Sequence, residues 1–169
     1  MTYLLIAIPV ISFLLDRLVK LWARTDLQAL GGSLPLIEGV FRFTYVENRG
    51  AAFGMLQGQF WLFAILTPLV AAFLIYKMFF AKKKLPAMPN IAMALFLGGA
   101  IGNLYDRIFY GYVVDMFDFC LINFAVFNVA DSCMVVGVLL YCVWVLFVEG
   151  KKQSRVKVAA EKGEDGRDL

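Results

Sequence analysis

Apolar residues fall along this chain in four long blocks, running from about Tyr3 to Ala23, Gln59 to Phe80, Asn90 to Tyr110 and Phe127 to Val148. Each is close to the roughly 20 apolar residues that a helix needs to cross a bilayer. Between the first two, Phe41, Phe43 and Tyr45 alternate with Arg42, Thr44 and Val46. That period of two suits a half-buried strand, and Glu47-Asn48-Arg49-Gly50 reads as the turn that ends it. The pattern therefore predicts an all-α integral membrane protein: four transmembrane helices with a small extracytoplasmic β element. Residues 1–150 form one membrane domain. Residues 151–169 mix acidic and basic side chains without an apolar run and read as a disordered cytoplasmic tail. The first block has no basic lead and no small-x-small cleavage site, so it reads as a mature helix.

Composition sharpens the class. Of 169 residues, 62% belong to the hydrophobic set and 17% are charged, against about 45–50% and 25% in soluble domains. Histidine is absent, which excludes Ser-His-Asp and Cys-His catalysis and imidazole-bound zinc. Cys120, Cys133 and Cys142 have neither metal-ligand spacing nor an even count for a closed disulfide framework. No metal or nucleotide motif is present, and none is expected. Lysine and arginine set the orientation. Lys77, Lys82, Lys83 and Lys84 border the second connection, and Lys151, Lys152, Arg155, Lys157, Lys162 and Arg167 follow the last block; the first connection holds only Arg24, Arg42 and Arg49. Both termini are thus expected in the cytoplasm. The net charge of +3 reflects this topology and not nucleic-acid binding.

Ionisable residues inside membrane segments are expensive and point to function. Asp16 and Lys20 stand four apart on one helix face and can pair, either as a neutralised structural pair or as part of a substrate site; Arg17 is expected to reach toward the outer headgroups. In the third block Ala94, Gly98 and Gly102 make a small-residue face for close helix packing, continued by Asp106. Gly99, Asn103 and Arg107 form the neighbouring row. Asp115 lies just beyond the third block, as a loop carboxylate or a site residue. Asp131 lies in the first turn of the fourth, where a helix-start carboxylate is itself favoured. An up-running helix followed by a down-running one brings both to similar depth on the extracytoplasmic side. Two close carboxylates share a proton. The ionised one takes a proton from water while the protonated one polarises a carbonyl. Arg107 then tunes the pair or holds a backbone carbonyl, and Asn103 and Asn128 orient water or substrate.

Five ordered blocks resemble one known family. Asp16 with Lys20, Asn48-Arg49-Gly50-Ala51-Ala52-Phe53, Gly98 through Arg107, Val113-Val114-Asp115 and Phe127-Asn128-Val129-Ala130-Asp131-Ser132 are similar to the bacterial lipoprotein signal peptidases (signal peptidase II). The resemblance runs from the first block to the fourth. It implies a four-helix aspartyl endopeptidase of the bacterial cytoplasmic membrane, with its active site at the outer face. Its substrates are diacylglyceryl-modified prolipoproteins, cut just before the lipidated cysteine. It implies Asp115 and Asp131 as the catalytic pair. Asn48, Gly50, Asn103, Arg107, Asn128 and Ala130 line or support the substrate site, and Asp16 and Lys20 belong to its polar support. The expected partners are the lipidated substrate and membrane lipid, with the enzyme acting as a monomer. Arg17 and Met116 stand where the family commonly has Gln and Phe. The aromatic strand at Phe41, Phe43 and Tyr45 is expected to roof the lipid-bearing peptide. Rival readings are an ion path through Asp16, Lys20, Asp106 and Asp131, a non-catalytic scaffold with capping aspartates, and a Ser132 or Ser12 nucleophile served by Lys20.

Overall fold

The computed structural model describes residues 2–50, 58–82 and 84–149. Its helices are α1 (Thr2–Trp22), α2 (Phe60–Ile75), α3 (Ala87–Tyr110) and α4 (Val129–Val143); α1, α2 and α4 continue through wider turns at Ala23–Leu27, Tyr76–Phe80 and Trp144–Glu149. Three stretches, Phe60–Phe80, Ala87–Tyr110 and Val129–Val148, are long and apolar enough to cross a membrane. The 21 residues of α1 include Asp16, Arg17 and Lys20. Leu5, Met78, Met93 and Ala94 cluster with Leu74 and Tyr141. The start of α1, the end of α2, the start of α3 and the end of α4 therefore meet, so consecutive helices run antiparallel. The expected tail and Ala51, Ala52 and Phe53 lie outside the described residues.

Helix α3 is central and packs against the other three, because its small residues let backbones approach. A Cβ added at Gly98 would fall 2.7 Å from Ser12 Cβ and 2.9 Å from the Pro9 backbone, in α1. One at Gly99 would fall 2.2 Å from the Ala130 carbonyl oxygen, in α4. The glycine rows are packing faces turned to different helices.

The β element is larger than the sequence pattern suggests. Strands β1 (Ser33–Ile37), β2 (Phe41–Asn48) and β3 (Val113–Asp118) form an antiparallel sheet in the order β1-β2-β3. Glu47 and Asn48, read as a turn, complete β2, and Asp115, read as a loop carboxylate, sits in β3 opposite Val46. The third strand escaped because Val113 through Met116 are all buried, which erases the period of two that marks a strand with one wet face. Alternation still governs direction: Val114 and Met116 pack on Ala23 and Leu27 at the end of α1, so Asp115 between them turns to the other side. The Phe43 ring lies 5.2 Å from that of Trp22 and belongs to the same core. It holds the sheet on α1 and is not a roof over a peptide.

At the α1–α3 seam four charges meet, Asp16, Lys20 and Asp106 buried and Arg17 partly so. Lys20 Nζ lies 3.0 Å from Asp16 Oδ2 and 2.9 Å from Asp106 Oδ2. Arg17 Nη2 lies 2.7 Å from Asp16 Oδ2, and its Nη1 pairs with Asp106 Oδ1. Arg17 thus bridges two carboxylates instead of reaching for headgroups, because unpaired buried carboxylates cost more than a bent arginine. Asp106 Oδ2 also accepts the Val114 N–H (3.2 Å) and Asp16 Oδ1 the Ala130 N–H (3.0 Å), which ties β3 and the start of α4 to the cluster.

Removing one member of a buried ionic group typically costs about 3–5 kcal/mol. Lys20→Met should lower the detergent melting temperature by that equivalent, and adding Asp106→Asn, which restores neutrality, should recover much of it. Gly99→Ala presses on backbone and should cost about 1–3 kcal/mol, whereas Ile101→Ala, on an exposed position, should leave the melting temperature nearly unchanged.

Candidate active site

The end of β3 and the start of α4 are joined by main-chain bonds. Phe127 donates to the Phe117 carbonyl at 3.2 Å, and the Phe127 carbonyl accepts from Met116 (3.0 Å) and Phe117 (2.8 Å). The next residue, Asn128, caps α4. Its side chain accepts the Asp131 N–H at 2.9 Å while the Asp131 carboxylate accepts the Asn128 N–H at 3.2 Å, a reciprocal capping box. Asp115 and Asp131 come to line one cavity of about 710 Å³. Phe63, Leu66, Val70, Phe96 and Met134 line it too, so most of its wall is apolar.

Each carboxylate is held by side-chain amides. Asn48 Nδ2 donates to Asp115 Oδ2 at 2.9 Å and Asn128 Nδ2 to Asp115 Oδ1 at 2.6 Å. Asn103 Nδ2 donates to Asp131 Oδ1 at 2.7 Å. None of these amides is free to flip. The carbonyl oxygen of Asn103 accepts from Lys20 Nζ at 2.8 Å, that of Asn128 from the Asp131 N–H, and that of Asn48 from the Gly50 N–H at 2.9 Å. Ammonium and backbone N–H groups only donate, so each NH₂ must face a carboxylate. Asn103 and Asn128 therefore brace the two acids, where the sequence reading had them orienting water or substrate.

Burial pushes the Asp115 carboxyl up to about 7, and the nearby Asp131 charge adds to the shift; the bonds from Asn48 and Asn128 oppose it. Arg107 makes no bond to either carboxylate among the described residues. Its Nη2 donates to the Gly50 carbonyl at 3.0 Å and its Nη1 to the Asn103 carbonyl at 3.3 Å, with the guanidinium 4.3 Å above the Phe63 ring. It holds a backbone carbonyl, one of the two roles the sequence allowed. Ala130 is wholly buried and serves through its N–H to Asp16, not as cavity lining. Lys20 spends its three protons on Asp16, Asp106 and Asn103, and Ser132 Oγ donates to the Asn128 carbonyl at 3.0 Å, so among the described residues Lys20 does not serve Ser132 or Ser12. Sequence reasoning passed over Arg17 and Asp106 as site support. The signal for Asp106 was its place one turn after Gly102, on the face that meets α1.

Comparison with known proteins gives the family of the chain. Residues 8–147 match the family model described as signal peptidase (SPase) II. A lipoprotein signal peptidase of Clostridioides difficile is 43% identical over 90% of this chain and 100% of its own length. One from Caldanaerobacter subterraneus is 47% identical over 85% of this chain and 98% of its own. A bacterial membrane enzyme solved by the in meso method at 2.3 Å superposes with a TM-score of 0.77 at 32% identity, covering 84% of this chain and 87% of that one. A second such structure, at 1.9 Å, gives 0.75 over 85% and 93%. Family model, relatives and fold converge: this chain belongs to the signal peptidase II family of aspartic peptidases.

Proposed function

We propose that Asp115 and Asp131 are the catalytic pair of a peptidase that frees prolipoproteins of their signal peptides, cutting before a diacylglyceryl-modified cysteine. The observation that carries this reading is the convergence of the two carboxylates on one apolar cavity, Asp115 bracketed by two amides and Asp131 held by one, none able to turn away. A substrate anchored by a signal helix and a lipid chain needs such a cavity within reach of the bilayer. Asp131, at the positive end of α4, is the ionised member and general base; Asp115 holds the shared proton. Water adds to the scissile carbonyl carbon as Asp131 takes its proton and Asp115 gives its own to the carbonyl oxygen. The resulting gem-diol collapses as Asp131 passes its proton to the leaving nitrogen. The C–N bond breaks, and Asp115 regains a proton from a diol hydroxyl. Asn48, Asn103 and Asn128 hold the acids; Lys20, through Asn103, holds Asp131; Arg107 and Gly50 fix the chain beside them. No metal or cofactor takes part.

We read α1 as a fourth span, making residues 1–150 one membrane domain with 151–169 as a cytoplasmic tail. Its support is the inward pairing of Asp16, Arg17 and Lys20, which leaves exposed a flank that includes Leu4, Ile11, Leu14 and Leu18. With lysine and arginine as the guide, both termini face the cytoplasm and the site faces outward in the cytoplasmic membrane. The enzyme acts as a monomer on lipid-embedded substrate.

Purified wild type should cleave a diacylglyceryl-modified prolipoprotein in detergent, with Asp115→Asn and Asp131→Asn each folded and at least about 10³-fold slower; cleavage by either variant at wild-type rate would move the site elsewhere. Activity should fall as the pH rises through about 7 and Asp115 loses its proton. The same shift has a stability sign. Because the folded-state value lies above 3.8, Asp115 imposes no charging penalty below that pH, and the penalty grows to completion above about 7. Between pH 5 and 8.5 the melting temperature of Asp115→Asn should therefore rise relative to wild type. A gap independent of pH would contradict the assignment.

A further inference from the structure

A second cavity, of about 320 Å³, opens between α1 and α3 and shares no lining residue with the first. Phe13, Arg17, Leu21, Arg24, Tyr105 and Tyr110 line it, with the Lys20 stem at its base. Within it Arg17 and Lys20 are balanced by Asp16 and Asp106. Arg24 has no carboxylate within ion-pair distance among the described residues; its guanidinium lies 3.9 Å above the Tyr110 ring. The cavity therefore carries one uncompensated positive charge, on a planar fork whose face is stacked and whose edge is left to donate. The Tyr105 and Tyr110 hydroxyls have no hydrogen-bond partner among the described residues, and Arg17 Nε is buried without one. A cation and two phenols at the ends of two helices form a receptor for an anion with several acceptor oxygens, a phosphate above all. Beside it Leu14, Leu18 and Leu21 on α1 and Ile101, Ile108 and Phe109 on α3 are exposed, an apolar flank in line with the polar pocket.

We propose that this α1–α3 groove binds the phosphodiester of an anionic membrane phospholipid, gripped by Arg24, Tyr105 and Tyr110, with its acyl chains running inward along Leu18 and Leu14 of α1. The proposal rests on the reading of α1 as a membrane span. The net charge of the groove selects an anionic headgroup over a zwitterionic one, because the choline of the latter would meet Arg24. A bound lipid splints α1 to α3 beside the buried charges, so occupancy raises stability and leaves the distant aspartates their own cavity.

The test uses the full-length protein in detergent, titrated with phosphatidylglycerol or phosphatidylcholine, with bound lipid counted by native mass spectrometry and melting followed in parallel. Wild type should retain phosphatidylglycerol in preference to phosphatidylcholine and melt higher with it. Arg24→Gln, and separately Tyr110→Leu, should weaken that retention roughly tenfold, as loss of a charge-assisted contact implies. Glycerol phosphate, which lacks acyl chains, should not displace the lipid. Equal retention by Arg24→Gln and wild type, equal binding of phosphatidylcholine, or displacement by glycerol phosphate would each overturn the lipid site. Melting without lipid should match wild type for Arg24→Gln, which separates lost binding from lost folding. Prolipoprotein cleavage by the same preparation reports on the aspartate pair alone, so the two readings fail independently.

Discussion

Two buried carboxylates, a buried ammonium and a partly buried guanidinium at the α1–α3 seam have to satisfy one another, and the position of everything around the cavity follows from how they do so. In a medium without water each of these groups alone would be prohibitive. Together Asp16, Arg17, Lys20 and Asp106 sum to zero charge, and their leftover bonding capacity reaches outward. Asp106 takes the Val114 N–H, next to Asp115. Asp16 takes the Ala130 N–H, next to Asp131. Lys20 donates to Asn103 Oδ1, so the Asn103 side-chain NH₂ faces Asp131. The cluster is thus a fixed point to which both aspartates are referred, one through a strand and one through a helix start.

That arrangement explains why donors surround the two acids without neutralising them. Amides contribute directed N–H groups but no net charge, so they orient the carboxylates without placing a cation against them. A cation in direct contact would instead favour the ionised form of both acids. Arg107 lies close by but is occupied with the Gly50 and Asn103 carbonyls and with the Phe63 ring. Lys20 acts on Asp131 only across Asn103.

Close packing makes this precision possible. Gly98 and Gly99 let α1 and α4 approach α3 until backbone meets backbone, and Gly102 leaves room for the Asp16 carboxylate; such contacts have little slack. The sheet adds a second constraint. Val114 and Met116 anchor on the end of α1, and Phe127 bonds to β3, so the strand and the capping turn of α4 move as one piece.

The sequence by itself determined the helices, since long apolar runs have few other outcomes in lipid, and it narrowed the reagents the cavity can offer, since a chain without histidine but with polar residues in its apolar runs has few others. Asp115, Asp131, Asn48, Asn103 and Asn128 were all legible as a group, through their residue types and through family resemblance. Their partners were not. Arg17 read as a headgroup anchor, Asp106 as the end of a packing row and Phe43 as a roof, because each assignment depends on which helix or strand faces the residue. Strand β3 was hidden because burial on both sides removes the alternation that reveals a strand. Only the tertiary structure decided these matters, for a common physical reason: the bonding needs of a buried polar group are set by its own chemistry, but the group that meets them is set by packing between segments far apart in the chain.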